Sequence, residues 1–560
     1  MTFHNLIPKN STGGRFEFAP KSSATSNSEE PSAKEQLISL EASGDKAAEE
    51  GRNIDALRAY DAIIGFGGST ASIWNKTGNL LSLVGEYAQA IGAFERALEQ
   101  DATNPATHHN LAGALFALGD LDRSLESLRR AVGLTDQLDP WQGIANLVPN
   151  APMSTNADIF AARRDWATRL AAVKSTSPSG IRKIASSLRE NKRPIHVAYL
   201  SAHFGRQNYM KPVWGLINRH HRGAFRIDLL SDKKFESPFP GYQLVSSDTV
   251  TDVSGLNDQQ LAAHVEEREI DVLVDLSAYS HQPRMSFFLQ KVAPVTIAWF
   301  NMFGTSGFPA FDYIVGDHHV VLPEEERHYV EKVLRLPCSY LTFQVDYPVP
   351  DVASPPCLTT GRFTFGSLVS QYKITPPVLD AWSEILKRSP ESQLLLANSE
   401  LKSPHNRSYV LEQVKSRGVA SDQLRFLPPV DHDSFLRYYD QIDLALDAFP
   451  YNGGTTTTEA IWQGVPVLTK QGDRWAARTS QSLLCECHLS EFVAIDRSGY
   501  VDQAVSWATN KSAWSHLSTL RNTMRERLRA SLVCDSELLT REMETIFSSC
   551  LSKAIAWDVP

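Results

Sequence analysis

Residues 446–459 read LDAFPYNGGTTTTE, an order that suits the binding of a phosphate. The apolar run 442–446 before it reads as a buried strand. A Pro-Tyr-Asn-Gly-Gly turn follows, then four threonines, and Glu459-Ala460-Ile461-Trp462 starts a helix. The first amides of a helix lack internal acceptors and point outwards. The helix dipole adds partial positive charge at the same end. Gly453 and Gly454 carry no Cβ, so a ligand can approach the backbone. Thr455 and Thr456 add hydroxyl donors, and Glu459, one turn on, could hold ribose hydroxyls. The same residues have a purely structural reading. Thr456-x-x-Glu459 is a capping box, and Asn-Gly-Gly is an ordinary turn signal. On these residues alone both readings stand.

The surrounding pattern predicts the elements that carry this stretch. From residue 195 to 316 short apolar runs alternate with helical stretches, and the same alternation restarts at residue 363. Such alternation predicts two doubly wound parallel sheets. Ligands bind at the carboxyl ends of the strands in such folds. Upstream, Gly51, Gly85 and Gly119 recur every 34 residues, as do Trp74 with His108 and Tyr60 with Phe94. That period is the mark of tetratricopeptide repeats. About three are expected between residues 35 and 138, stacking because one helix pair cannot bury its own apolar face. The expected organisation is a disordered leader at 1–34, the repeats at 35–138 and a helical connector at 139–193. An α/β domain at 194–358, a nucleotide-binding α/β domain at 359–505 and C-terminal helices at 506–560 follow. The repeats are expected to form a unit separable from nucleotide binding.

Composition excludes several classes. A chain of 560 residues with 42% hydrophobic and 21% charged residues can fill several cores. A net charge of −9 argues against a nucleic-acid binder held by phosphate contacts. No apolar run is long enough for a membrane span, and the N-terminal stretch has no secretory signal core. Six cysteines without zinc-knuckle spacing read as free thiols of a cytoplasmic protein. His318 and His319 alone are a weak metal signal.

The motifs then carry a resemblance. LDAFPYNGGTTTTEAIWQGVPVLT at 446–469 and GDRWAARTSQSLL at 472–484 resemble the O-linked N-acetylglucosamine transferases and their SPINDLY relatives. The chain is most similar to short bacterial members with few repeats. FGTSGFPAFDYIVGD at 303–317, YVEKVLRLP at 329–337 and YKITPPVLDAW at 372–382 add to the likeness. The resemblance implies a GT-B fold and an inverting, metal-independent transfer from a UDP-sugar to a protein hydroxyl. It implies that Gly453, Gly454, Thr455 and Thr456 bind the nucleotide phosphates and that Glu459 takes the ribose. Lys373 matches the lysine on the donor diphosphate, a charge that opposes the one on the leaving group. Asp473, Arg474 and Arg478 are expected to brace the signature loop by ion pairs.

The chain also departs from the family pattern. Gln207 stands where the family has a histidine near the reacting centre, and an amide cannot act as a base. His203, four residues earlier, and His281, in AYSHQPR at 278–284, are the candidate replacements. Val369 and Ser370 stand where the family has Asn or Gln, and Phe435 stands at a histidine position. The turn expected to face the sugar has Asn301 in place of a glycine, with Gly304 kept. Asn301, Gly304 and Gln207 are therefore the expected sugar-pocket residues. The expected function is an inverting protein O-glycosyltransferase with nucleotide sugar as substrate and no cofactor or metal. Its repeats would bind the protein acceptor, with neither nucleic acid nor membrane as partner. Two rivals remain: a different donor sugar, as in flagellin glycosylation, and a catalytically degenerate binder of nucleotide and peptide.

Overall fold

The computed structural model describes residues 32–174, 193–235, 239–345 and 347–557. Most of the expected leader and the Ser/Pro/Gly-rich end of the connector lie outside the described residues.

Six helices form three antiparallel pairs: α1 (Ala33–Glu49), α2 (Asn53–Gly65), α3 (Ala71–Leu83), α4 (Tyr87–Gln100), α5 (Pro105–Ala117) and α6 (Leu121–Leu134). The 34-residue period is the period of the turns. Gly51, Gly85 and Gly119 take φ of +73°, +81° and +84°, a region glycine enters without a Cβ penalty. Tyr60 packs on Gly44 and Phe94 on Gly78 inside their own pairs, and both are buried, as is Leu115. α7 (Asp139–Leu147) and α8 (Asn156–Val173) extend the stack towards the first α/β domain, whose core receives Trp166.

That domain holds seven strands, β1 (Ile195–Ser201), β2 (Phe225–Ser231), β3 (Thr249–Asp252), β4 (Val272–Asp275), β5 (Val295–Trp299), β6 (Tyr313–Asp317) and β7 (Lys332–Leu336), in one sheet of order β3-β2-β1-β4-β5-β6-β7. The second holds six strands, β8 (Thr364–Ser367), β9 (Gln393–Leu396), β10 (Leu424–Phe426), β11 (Leu444–Leu446), β12 (Val467–Lys470) and β13 (Val493–Ala494), in one sheet of order β10-β9-β8-β11-β12-β13. Every strand pair is parallel. The inner strands are buried along most of their length, as sheets covered on both faces require, while the edge strands β3 and β10 are not. β1 and β11 (Leu444–Leu446) sit at the switch points, and their carboxyl ends face one cleft.

One expected boundary is corrected. The C-terminal helices are not one unit. Helices Arg497–Thr509 and Trp514–Ala530 bury Tyr500, Leu517 and Met524 in the second domain. Helix Ser536–Trp557 crosses back, placing Met543 and Phe547 in the core of the first. Its Glu544 accepts from His220 and from the His221 amide, so an amphipathic tail joins the two domains.

The repeats are not free-standing either. Asn406 donates to the Gly85 carbonyl and accepts from the Ala88 amide, while Ser403 donates to Glu86 at the same junction. Gly119 lies so close to the second domain that a Cβ there would sit 2.3 Å from the Ile374 carbonyl oxygen. The array is docked on the nucleotide-binding half.

Candidate donor-binding cleft

β11 ends at Asp447, and the buried carboxylate of Asp447 shapes the loop that follows. Its Oδ1 accepts from the amides of Ala448 (2.9 Å) and Gly453 (2.8 Å), and its Oδ2 from Thr469 (2.7 Å). Burial pushes this carboxyl up, and the Gly453 and Thr469 hydrogen bonds oppose the rise. The Gly453 amide is thus spent inside the protein. A Cβ at Gly453 would lie 2.5 Å from Thr457 Oγ1, so this glycine serves loop closure and is corrected from a direct phosphate ligand.

Helix Thr455–Trp462 follows, with Gly454 as its N-cap and no side-chain cap. The capping-box reading fails, because Gly454 rather than Thr456 is the N-cap and Glu459 pairs with Lys211. The Thr455 and Thr456 amides head the helix, where helical geometry supplies no acceptor. Segment 472–484 fixes this loop from behind. Ser480 donates to the Gly453 carbonyl, and the Asn452 amide donates to Ala476. Arg474 pairs with Asp473 and reaches the Ala151 carbonyl, while Arg478 forms two bonds with Glu325 at 2.7 and 2.9 Å. The three charged residues brace the loop, as expected.

A cavity of about 340 Å³ lies between the two sheets. Lys373, Gly454, Thr455, Thr456 and Glu459 line it from the second domain. Arg206, Asn208, Tyr209 and Asn301 line it from the first. Lys373 ends the single 3-10 turn Gln371–Lys373. Its ammonium donates to the Asn452 carbonyl at 2.7 Å and lies 4.2 Å from the centre of the Tyr451 ring. Burial pushes this ammonium down to about 8, against the pull of Asp447.

The first domain fits the expectations less well. Gln207 is exposed on the first turn of helix Gln207–Ile217 and does not line the cavity; its neighbours Arg206, Asn208 and Tyr209 do. Gly304 turns away as well: a Cβ there would meet Ile159 of α8 at 3.1 Å. Asn301 does line the cavity, with its amide donating to the Tyr209 hydroxyl and to the Ser277 carbonyl. His203 bonds Ser280 at 2.9 Å and packs on Tyr209, which stands between it and the cavity. Burial, with Arg206 nearby, pushes His203 down to about 4. His281 turns to Asp232 at 3.0 Å, a carboxylate also held by Arg284. Neither histidine reaches the cavity, and both are corrected as candidate catalytic groups. His319 lies 4.0 Å from Glu486, away from the cleft. Among the described residues no group of three or more His, Cys, Asp or Glu is placed to hold a metal ion.

Sequence reasoning missed a buried cluster beside the cavity. Lys211 donates to Tyr347 (2.6 Å), His432 (3.0 Å) and Glu459 Oε1 (3.0 Å). Glu459 therefore lines the cavity with one oxygen already paired. Burial raises its carboxyl and Lys211 opposes the rise. His432 is pushed down to about 4 by burial and by the Lys211 charge, so it stays neutral and accepts. It stacks on Phe435, one turn along, and brings an imidazole near the place where Phe435 lacks one. The available signal was Lys211 itself, a lone cation in the apolar helix QNYMKPVWGLI, since a buried charge needs a partner.

Comparison with known proteins agrees with this fold. The family described as Glycosyl transferase family 41 matches residues 170–348 and 358–543. A tetratricopeptide-repeat family matches residues 83–145. "Probable UDP-N-acetylglucosamine--peptide N-acetylglucosaminyltransferase SPINDLY" of Arabidopsis thaliana is 28% identical over 409 residues, 72% of this chain and 44% of that protein. The protein of the same organism named SEC, also a probable peptide N-acetylglucosaminyltransferase, is 28% identical over 335 residues, 57% of this chain and 33% of that protein. The chain thus spans less than half the length of these curated relatives. A mutant of the Thermobaculum terrenum O-GlcNAc transferase superposes with a TM-score of 0.76 at 26% identity. That match covers 94% of this chain and all of the other.

Proposed function

The chain belongs to glycosyl transferase family 41, and from that premise we propose that it transfers a sugar from a UDP-sugar to Ser or Thr hydroxyls of a polypeptide. One observation carries this reading. The Lys373 ammonium and the N-terminus of helix Thr455–Trp462 converge on one cavity between two parallel sheets. A diphosphate leaving group gains negative charge as the glycosidic bond breaks. A desolvated ammonium and preorganised amides oppose that charge strongly in a site shielded from water. The acceptor hydroxyl attacks the anomeric carbon in line, and the cavity supplies position as much as charge. The Lys373 ammonium and the helix amides meet the phosphates in place of a divalent ion. Glu459 Oε2 takes the ribose, with Oε1 held by Lys211. The repeats present the polypeptide, and the six free thiols suit a reducing, cytoplasmic setting.

N-acetylglucosamine is the sugar that the names of the SPINDLY and SEC relatives give. Asn301, joined to Tyr209, is where this chain would read the sugar. The flagellin-directed and catalytically inert readings draw no support from those relatives. The test is intact-mass analysis of Ser/Thr-rich acceptors, flagellin included, co-expressed with the protein or its Lys373→Ala variant. A mass increment that depends on Lys373 and equals one sugar residue supports the reading and names the sugar. No increment, together with no hydrolysis of any nucleotide sugar, overturns it.

A further inference from the structure

One pair of rings separates two cavities. The groove of the repeats encloses about 480 Å³, and Phe116 of α5 is part of its wall. The cleft described above has Tyr372 and Lys373 in its wall. Phe116 and Tyr372 are stacked, with centroids 5.0 Å apart and planes 15° apart. Tyr372 leans on Tyr451 at 5.8 Å, and the Lys373 ammonium lies 5.9 Å from the first of these two rings and 4.2 Å from the second. The turn Gln371–Lys373 is too short to hold its own shape, and the repeats support it. Gln371 donates to the Leu118 carbonyl, and Gly119 lies against the carbonyls of Gln371 and Ile374.

We propose that Phe116, on the last repeat, is a positioning residue for Lys373, acting through the ring of Tyr372. The inference rests on the reading of the cleft as the donor site. A stacked aromatic pair holds both rings in place beyond what their buried area alone would do. Here it also sets how dry the ammonium is. Without the Phe116 ring, Tyr372 loses its backing, water reaches Lys373, and the cation no longer sits where the diphosphate leaves. The polypeptide groove and the donor cation are then coupled by two rings, with no hinge needed. The charged and titratable groups around Lys373 are Asp447 and Tyr451 on the glycine loop and Tyr372 beside it. Glu400 and Arg206 act on Tyr372 from either side of the cleft. The repeat itself presents the apolar Phe116 ring and the backbone of Leu118 and Gly119.

Competitive labelling of the empty full-length protein with acetic anhydride, followed across pH by peptide mass spectrometry, reads the Lys373 midpoint without any donor. The wild-type midpoint is expected near 8. Phe116→Ala should raise it towards the ordinary lysine value and weaken UDP binding, whereas Phe116→Tyr, which keeps the ring, should leave both near wild type. Asn406→Ala loosens the repeat junction at Gly85 without touching the ring pair, and should leave the midpoint in place. A Phe116→Ala midpoint equal to wild type, or an equal shift in Asn406→Ala, overturns the proposal. UDP titration by calorimetry separates the two layers. A wild type that ignores UDP while the midpoints move as expected overturns the donor-site reading and leaves the Phe116–Lys373 link standing.

Discussion

UDP affinity should fall as pH rises above about 8, and Lys373 should be the cause. Desolvation holds its ammonium down at about 8, against an ordinary 10.5, with Asp447 opposing the fall. A depression of that size disfavours the charged form by about 3 kcal/mol relative to water. A diphosphate entering the cavity supplies the missing counter-charge, so UDP selects the protonated lysine. Below the midpoint the ammonium is already present, and affinity is level. Above it each binding event must take up a proton, and affinity drops by up to about tenfold per pH unit. The terminal phosphate, with its second ionisation near about 6, is fully charged there and adds no slope. Stability of the empty protein has the opposite sign. Between the folded and ordinary values the unfolded chain binds more protons, so this group's contribution becomes less unfavourable as pH rises through that window. The assay is calorimetric titration of UDP at roughly pH 7 to 9 in two buffers of different ionisation enthalpy, which reports proton uptake directly. Lys373→Ala should abolish the slope and lower turnover by on the order of a hundredfold or more. Level wild-type affinity across this range, or the same slope in Lys373→Ala, refutes the reasoning.

Three further outcomes are expected. Lys211→Ala leaves Glu459 buried without its cation and should lower stability by about 3–5 kcal/mol in denaturant unfolding; Lys211→Ala combined with Glu459→Gln should recover part of that loss. Thr455→Ala and Thr456→Ala each remove one neutral hydroxyl and should weaken UDP binding by only about 1 kcal/mol, measured by the same calorimetry. If Lys373 and the helix amides meet the phosphates as proposed, transfer activity should survive EDTA; activity lost in EDTA and restored by Mg²⁺ or Mn²⁺ would show the charge is met otherwise.

The parts of the fold that were legible share one property: a few neighbouring residues determine them. The strand, glycine turn and helix at 442–462 follow from burial, two glycines and a run of threonines. The 34-residue period follows from helix length plus turn. The side of the cleft that each residue faces was not local. The motif makes Glu459 a ribose ligand, yet Lys211, 248 positions away, holds one of its oxygens. His203 and His281 follow strand ends, as a cleft residue should, but each found a nearer partner in Ser280 or Asp232. The amphipathic pattern of helix Ser536–Trp557 shows that it buries a face, and nothing in that pattern names the first domain as the core it joins.

Gly119 shows the same limit within a single repeat position. Gly51, Gly85 and Gly119 occupy one place in the period, and all three have positive φ. The period assigns them one role. A Cβ at Gly51 or Gly85 would meet nothing within 4 Å, so alanine there brings only backbone strain. At Gly119 the same Cβ would lie 2.3 Å from the Ile374 oxygen and 3.0 Å from that of Gln371, the residues that flank Tyr372 and Lys373. Backbone atoms cannot swing aside as a side-chain tip can, so alanine at 119 must push the repeat off the turn that carries the lysine. The repeat motif supplied a glycine for its own turn. The docking of the array on the second domain then gave that one glycine a second function, behind the turn that carries Lys373.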